Sequence, residues 1–158
     1  MKTFLVIFTI LILTGCSHQK AELLSYGIVD NEIIVTKTNT NLVAGEKHII
    51  NSWNLIKSTT DIPNKIGTEF GIAYTFTDPS VEGSTSLEEV IIFPGGGLTN
   101  PKNNLTVKVD SEFLNITPLK EQYFSYTINY PWEAKSGTWI FQVKQNGNIL
   151  LEQTFNIQ

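Results

Sequence analysis

Along much of this chain large apolar residues return at every second position, with small or polar residues between them, which is the period of a pleated strand and not of a helix. In the segment 70–76, Phe70, Ile72, Tyr74 and Phe76 share one side while Gly71, Ala73 and Thr75 share the other, so a half-buried strand is expected. Leu105, Val107 and Val109 alternate with Thr106 and Lys108 in the same way, and Phe124, Tyr126, Ile128 and Tyr130 with Ser125, Thr127 and Asn129. Trp139, Phe141 and Val143 form another such row. Asn146-Gly147, two residues tolerant of positive φ, then predicts a tight hairpin into a strand carrying Ile149, Leu151, Phe155 and Ile157. Glu88 to Phe93 reads as a strand stopped by Pro94, and Ser25 to Thr36 as one or two more, with Asp30-Asn31 as a turn or bulge. From His48 to Ser58, Ile49, Trp53 and Ile56 fall at helical spacing, but no cap or glycine stop frames a helix, and the stretch reads as one strand. About seven to nine short strands with turns every 8–12 residues or so predict an all-β antiparallel sandwich.

The first residues follow a different rule. Lys2 is followed by a nearly unbroken apolar run from Phe4 to Leu13 and then by Leu13-Thr14-Gly15-Cys16. As a helix that run spans about 15 Å, half the hydrocarbon thickness, which marks an export signal and not a membrane span. The stretch Leu-Thr-Gly-Cys resembles the bacterial lipobox. The resemblance implies diacylglycerol attached to the Cys16 thiol, cleavage after Gly15 and acylation of the new amino terminus, so that more than one acyl chain holds the protein. The expected organisation is a signal peptide over residues 1–15, a lipidated polar tether over 16–21 and one sandwich domain over 22–158. Ser17 stands where an aspartate would retain such a lipoprotein in the inner membrane. The expected place is therefore the outer membrane facing the periplasm in a Gram-negative source, and otherwise the cell membrane.

Charge changes the picture little. Without residues 1–15 the balance of 11 basic against 15 acidic groups becomes 10 against 15, so −4 becomes −5. All the basic residues are lysines, and an acidic chain without arginine forks or a basic patch is not built for nucleic acid. The single cysteine excludes an internal disulfide.

Gly137-Thr138-Trp139 and the hairpin ending Phe155-Asn156-Ile157 resemble the final hairpin of bacterial immunoglobulin-like domains, in which the tryptophan fills the space between the sheets. Taken as an ordered set, Ser25-Tyr26-Gly27-Ile28, Ile62-Pro63, Gly67-Thr68-Glu69-Phe70-Gly71, Pro94, Asn100-Pro101 and Gly137-Thr138-Trp139 resemble a bacterial domain-of-unknown-function family of exported proteins. The resemblance implies an immunoglobulin-like sandwich and brings no activity or catalytic residues with it.

Candidate chemistry is sparse. Gly95-Gly96-Gly97 offers a backbone that a ligand or partner can approach closely, but Leu98-Thr99-Asn100-Pro101 follows it, and no phosphate-binding helix can start there. Tyr123 and Trp132 are the aromatic residues most expected at the surface, where flat rings stack on sugars, while Tyr126 and Tyr130 run in phase with core positions. His48 is the only histidine after the tether, which leaves no multi-histidine metal site and no thiol dyad. Glu88 and Glu89 are neighbours on a strand and point to opposite faces. Glu133 beside Trp132 is a conceivable glycosidase acid with no second carboxylate identified. No metal or other cofactor is expected, and no catalytic residue. The function expected is that of a lipid-anchored envelope protein, a non-enzymatic binding or structural module whose partner is an envelope protein or glycan. The alternatives are a sandwich-type protease inhibitor using the glycine loop, and a carbohydrate-binding or carbohydrate-hydrolysing protein using Trp132 and Glu133.

Overall fold

The computed structural model describes residues 21–50, 52–78 and 83–158; Cys16, the export signal and the start of the tether lie outside the described residues. The strands are β1 (Ala21–Val29), β2 (Ile33–Thr38), β3 (Glu46–Ile50), β4 (Leu55–Lys57), β5 (Asp61–Ile62), β6 (Glu69–Phe76), β7 (Thr85–Ile92), β8 (Leu98–Asn100), β9 (Leu105–Val107), β10 (Val109–Ile116), β11 (Glu121–Thr127), β12 (Gly137–Gln145) and β13 (Asn148–Ile157). One sheet has the order β11-β6-β1-β4 and the other β10-β7-β12-β13-β5; β2 with β3 and β8 with β9 form two separate ribbons. All pairings are antiparallel except that of β13 with β5. This is the expected sandwich, all-β and without a disulfide.

The inner faces meet through aromatic rings. Phe70 of β6 touches Trp139, Phe141 and Phe155 of the facing sheet at centroid distances of 5.7, 5.6 and 5.2 Å. Trp139 is fully buried and also packs edge-on against Phe93 and Tyr126. The hairpin between β12 and β13 turns at Asn146 and Gly147 with φ of 51° and 79°, the left-handed pair expected there.

Thirteen strands stand among the described residues where about seven to nine were expected, because several are pieces of two or three residues, and four further expectations about the strands change. β6 is buried on both faces and not half-buried, because it lies inside its sheet and its outer side is roofed. Ala73 pairs with Ser25 on one flank and Tyr123 on the other, and the Trp53 indole donates to the Ser25 hydroxyl (2.8 Å) while stacking on Tyr123 (5.8 Å). The run Leu105–Val109 is two strands and not one: β9 pairs with β8, the chain breaks at Lys108, and Leu105 and Val109 are both about half exposed. The stretch His48–Ser58 likewise contains two strands, the end of β3 and all of β4. Tyr130 leaves the phase of β11 and stacks on Trp132 in the turn that follows (5.8 Å, 7° between planes). β1 begins at Ala21, which is fully buried.

Candidate functional site

β10 reverses the usual pattern of a sandwich strand. Its inward positions begin Asp110, Glu112 before reaching Leu114 and Ile116, whereas Val109 and Phe113 face outward. On neighbouring β7 the inward row is Leu87, Glu89, Ile91, and Glu89 lies directly opposite Glu112. Three carboxyl groups thus share the inner face of one sheet near the free edge of β10. Like charges placed opposite each other on a sheet repel, and the arrangement leaves a gap in the apolar packing. A cleft of about 130 Å³ opens there, walled by β7 and β10 on one side, by residues 123–127 of β11 on another, and roofed by β3 with Leu42 and Ala44. Consecutive residues of β11 line it, so the cleft meets that strand along its edge, where no further strand of the described chain pairs with it.

The β2–β3 ribbon is strapped over the cleft at three places. At its base Glu69 accepts from the Asn31 amide nitrogen Nδ2 (2.8 Å), the Asn31 backbone N–H (3.2 Å) and the Ser125 hydroxyl (2.7 Å). Midway, Lys47 pairs with Glu112 at 2.6 Å. At its tip Val43 is buried in the main core, its N–H donates to both oxygens of Asp110 (3.1 Å each), and its carbonyl accepts from Asn100 Nδ2 (2.9 Å).

Burial dominates the electrostatics. Glu89, fully desolvated, is pushed up to about 7, although a hydrogen bond from the Tyr74 hydroxyl (3.0 Å) and the Lys47 charge pull it down. Asp110 is raised to about 6, again by desolvation, against the pull of the Val43 N–H. The hydroxyls of Tyr74 and Tyr126 are held neutral by burial and by nearby carboxylates. His48 lies on the cleft with its Nδ1 3.0 Å from the Thr36 hydroxyl. Among the described residues no three His, Cys, Asp or Glu side chains are placed to hold one metal ion.

The residues singled out in the sequence scatter around this cleft. Tyr123 lines it, half-buried and stacked on Trp53. Trp132 does not; it stacks on Tyr130, whose ring also receives Lys102 Nζ at 5.4 Å. The aromatic set therefore divides into two separate stacked pairs, Trp53 with Tyr123 and Tyr130 with Trp132. Gly95, Gly96 and Gly97 form a tight turn between β7 and β8, with φ of 50°, 89° and 103°. Lys135 Nζ donates to the carbonyls of Gly95 (2.9 Å) and Gly97 (2.6 Å), and a side chain at Gly97 would meet the Val107 carbonyl oxygen at 2.3 Å. Glu88 and Glu89 do face opposite ways, as their adjacency requires. Glu133 is wholly buried; its Oε2 accepts the N–H groups of Asn129 (2.7 Å) and Tyr130 (2.9 Å), which makes it the cap of that turn. Sequence reading does not single out Asp110 and Glu112, and it weighs Glu89 only as a neighbour of Glu88, although Glu89 sits in phase between Leu87 and Ile91, a charge where the period calls for an apolar residue.

Comparison with solved structures supports the fold. An immunoglobulin-like protein from Pseudomonas aeruginosa superposes with a TM-score of 0.62 over 87% of this chain and 96% of its own, at 21% identity, a likeness of fold alone. A DNA-bound alkylpurine DNA glycosylase from Pseudomonas fluorescens aligns at a TM-score of only 0.37 and 17% identity, over 63% of this chain and 28% of its own, too weak to carry an argument. No curated protein matches the chain. The model of the family described as Domain of unknown function (DUF3859) matches residues 17–157, and the chain belongs to that family.

Proposed function

We propose that this protein is a lipid-anchored module of the bacterial cell envelope that binds a partner through its strapped cleft and is not an enzyme. The observation that carries the reading is the cleft itself, a polar opening in a sandwich whose interior is otherwise filled by packed rings. Its acids are engaged structurally: Asp110 with Val43, Glu89 with Tyr74, Glu112 with Lys47 and Glu69 with Asn31 and Ser125. Such a set suits recognition by a preorganised wall more than proton transfer to a reacting group. The anchor rests on Leu13-Thr14-Gly15-Cys16.

The anchor is tested by Cys16→Ser. In cells fed a labelled fatty acid, the variant is expected to lose the label and to leave the washed membrane fraction, while the unaltered chain keeps both. Undiminished labelling of the variant would refute the anchor.

A further inference from the structure

At one end of the sandwich β1 begins, β6 ends, and the chain turns from β10 into β11 and from β12 into β13. The turn Thr117-Pro118-Leu119-Lys120 is closed by the Lys120 N–H, which donates to the Thr117 carbonyl (3.3 Å), and Leu119, its third residue, has a φ of 65°. A turn with positive φ at that position takes glycine or asparagine, because a larger side chain there is crowded by its own backbone. A leucine is an outlier in that conformation, and no burial offsets it: at 79% exposure Leu119 is the most exposed of the large apolar side chains among the described residues. Apolar residues standing singly on a surface are ordinary. What sets Leu119 apart is that a strained turn holds it at the end of the domain nearest the anchoring cysteine. Its N–H donates to the Phe76 carbonyl (2.9 Å), and Phe76 pairs with Ala21, so the turn lies about 10 Å from the start of β1. Cys16 precedes Ala21 by five residues, a length that reaches about 17 Å at most.

We propose that Leu119 is a membrane-contact residue: the end of the sandwich that carries it rests on the bilayer holding the Cys16 lipids, with the leucine side chain entering the boundary between headgroups and acyl chains. The short tether keeps this end within reach of the surface, so a contact too weak to recruit the protein by itself is made at high effective concentration. Ile149, half-exposed just past the Asn146-Gly147 turn, belongs to the same end and adds to its apolar surface. Exposed charges of both signs stand there, Lys120 against Glu22 and Glu121, so the contact is apolar in character and calls for no anionic lipid. The same contact orients the molecule. The cleft, lined by Glu69, Thr127 and Asn129, lies toward the opposite end, where β6 begins, and stays open to the aqueous side. This inference rests on the anchor proposed above and is independent of the cleft being a binding site.

The test uses the full lipidated chain reconstituted into phosphatidylcholine vesicles. Cys16 is the only cysteine and its thiol carries the lipid, so Leu119→Cys and, in the exposed turn at the opposite end, Ile66→Cys each offer one reactive thiol for an environment-sensitive nitrobenzoxadiazole label. The label at position 119 is expected to emit further to the blue than the label at 66, and to be quenched by lipids carrying a nitroxide just below the headgroup. The label at 66 should stay unquenched, and added salt should change neither. An equal response at both positions, or a blue shift at 119 without quenching by lipid, would overturn the membrane contact while the anchor stands. An unaltered chain that takes up the label, or that does not float with the vesicles, would overturn the anchor and this inference with it. Leu119→Gly separates contact from folding: glycine fits a φ of 65° without strain, so the urea midpoint is expected to stay level or rise. A lowered midpoint would show that the leucine side chain serves the fold, and the proposal would fall.

Discussion

At Trp139 the inference from sequence to energy is most direct. The ring is wholly buried, packs edge-on against Phe70, Phe93 and Tyr126, and its indole N–H donates to the Lys135 carbonyl at 3.0 Å. Trp139→Ala removes all four contacts and leaves a void between two sheets that cannot close over it, so a loss of about 3–5 kcal/mol is expected in urea unfolding. Trp139→Phe keeps an apolar ring but orphans the carbonyl, and a smaller loss of about 1–3 kcal/mol is expected. An unchanged midpoint for the alanine variant would remove the ring from the core. This residue is legible from alternation because its environment is set by its own strand. Glu133 is not: its role depends on the chain folding back so that Asn129 and Tyr130 present their N–H groups to it, and no spacing announces that.

The β2–β3 ribbon shows what is lost between residue and element. Strand β2 is legible as a short β-branched run, but every one of its positions is exposed, and its meaning lies in what its hairpin tip reaches 67 residues further along. Alternation reports which way a side chain points relative to its neighbours; it does not report which strand will cover it. For the same reason Gly71 and Ala73 of β6 read as a solvent face, although Trp53, 20 residues from Ala73, closes over that side. The cleft acids belong here too: Asp110 and Glu112 become a site only once β10 pairs with β7 and Lys47 arrives from β3. The ribbon's attachment can be tested as an element. Val43→Ala trims the only part of its tip in the main core, and Asp110→Asn leaves a single oxygen for the Val43 N–H. Each is expected to cost about 1–3 kcal/mol locally. Hydrogen exchange should then speed up by tenfold or so in the amides of residues 39–50 while those of β6 and β12 keep their protection. Uniform acceleration across both sheets would mean that the ribbon unfolds only with the whole domain.

For the molecule as a whole, the buried acids give stability a direction in pH. Glu89 titrates near 7 in the folded chain against 4.5 as its ordinary value, and Asp110 near 6 against 3.8, both raised chiefly by desolvation. Between about pH 4 and pH 7 the folded state therefore holds protons that the unfolded chain has already released, and stability falls as pH rises through that window, levelling off above it. Facing Glu89 are Tyr74 from β6, Lys47 from β3 and Glu112 from β10. The first two favour its charge and the third opposes it, yet burial outweighs the balance. A shift of this size corresponds to something like 3 kcal/mol from Glu89 alone. Urea unfolding is accordingly expected to give a higher midpoint at pH 5 than at pH 8, the reverse of a protein held together by exposed ion pairs. Glu89→Gln removes one titrating group but keeps a hydrogen-bond acceptor for Tyr74, so it should remove about half of the slope, leaving the share that Asp110 carries, and exceed the unaltered chain in stability at pH 8. A variant that keeps the full slope would transfer the effect to Asp110 and Glu133 at the ribbon's tip, and Asp110→Asn would then be the substitution that flattens it.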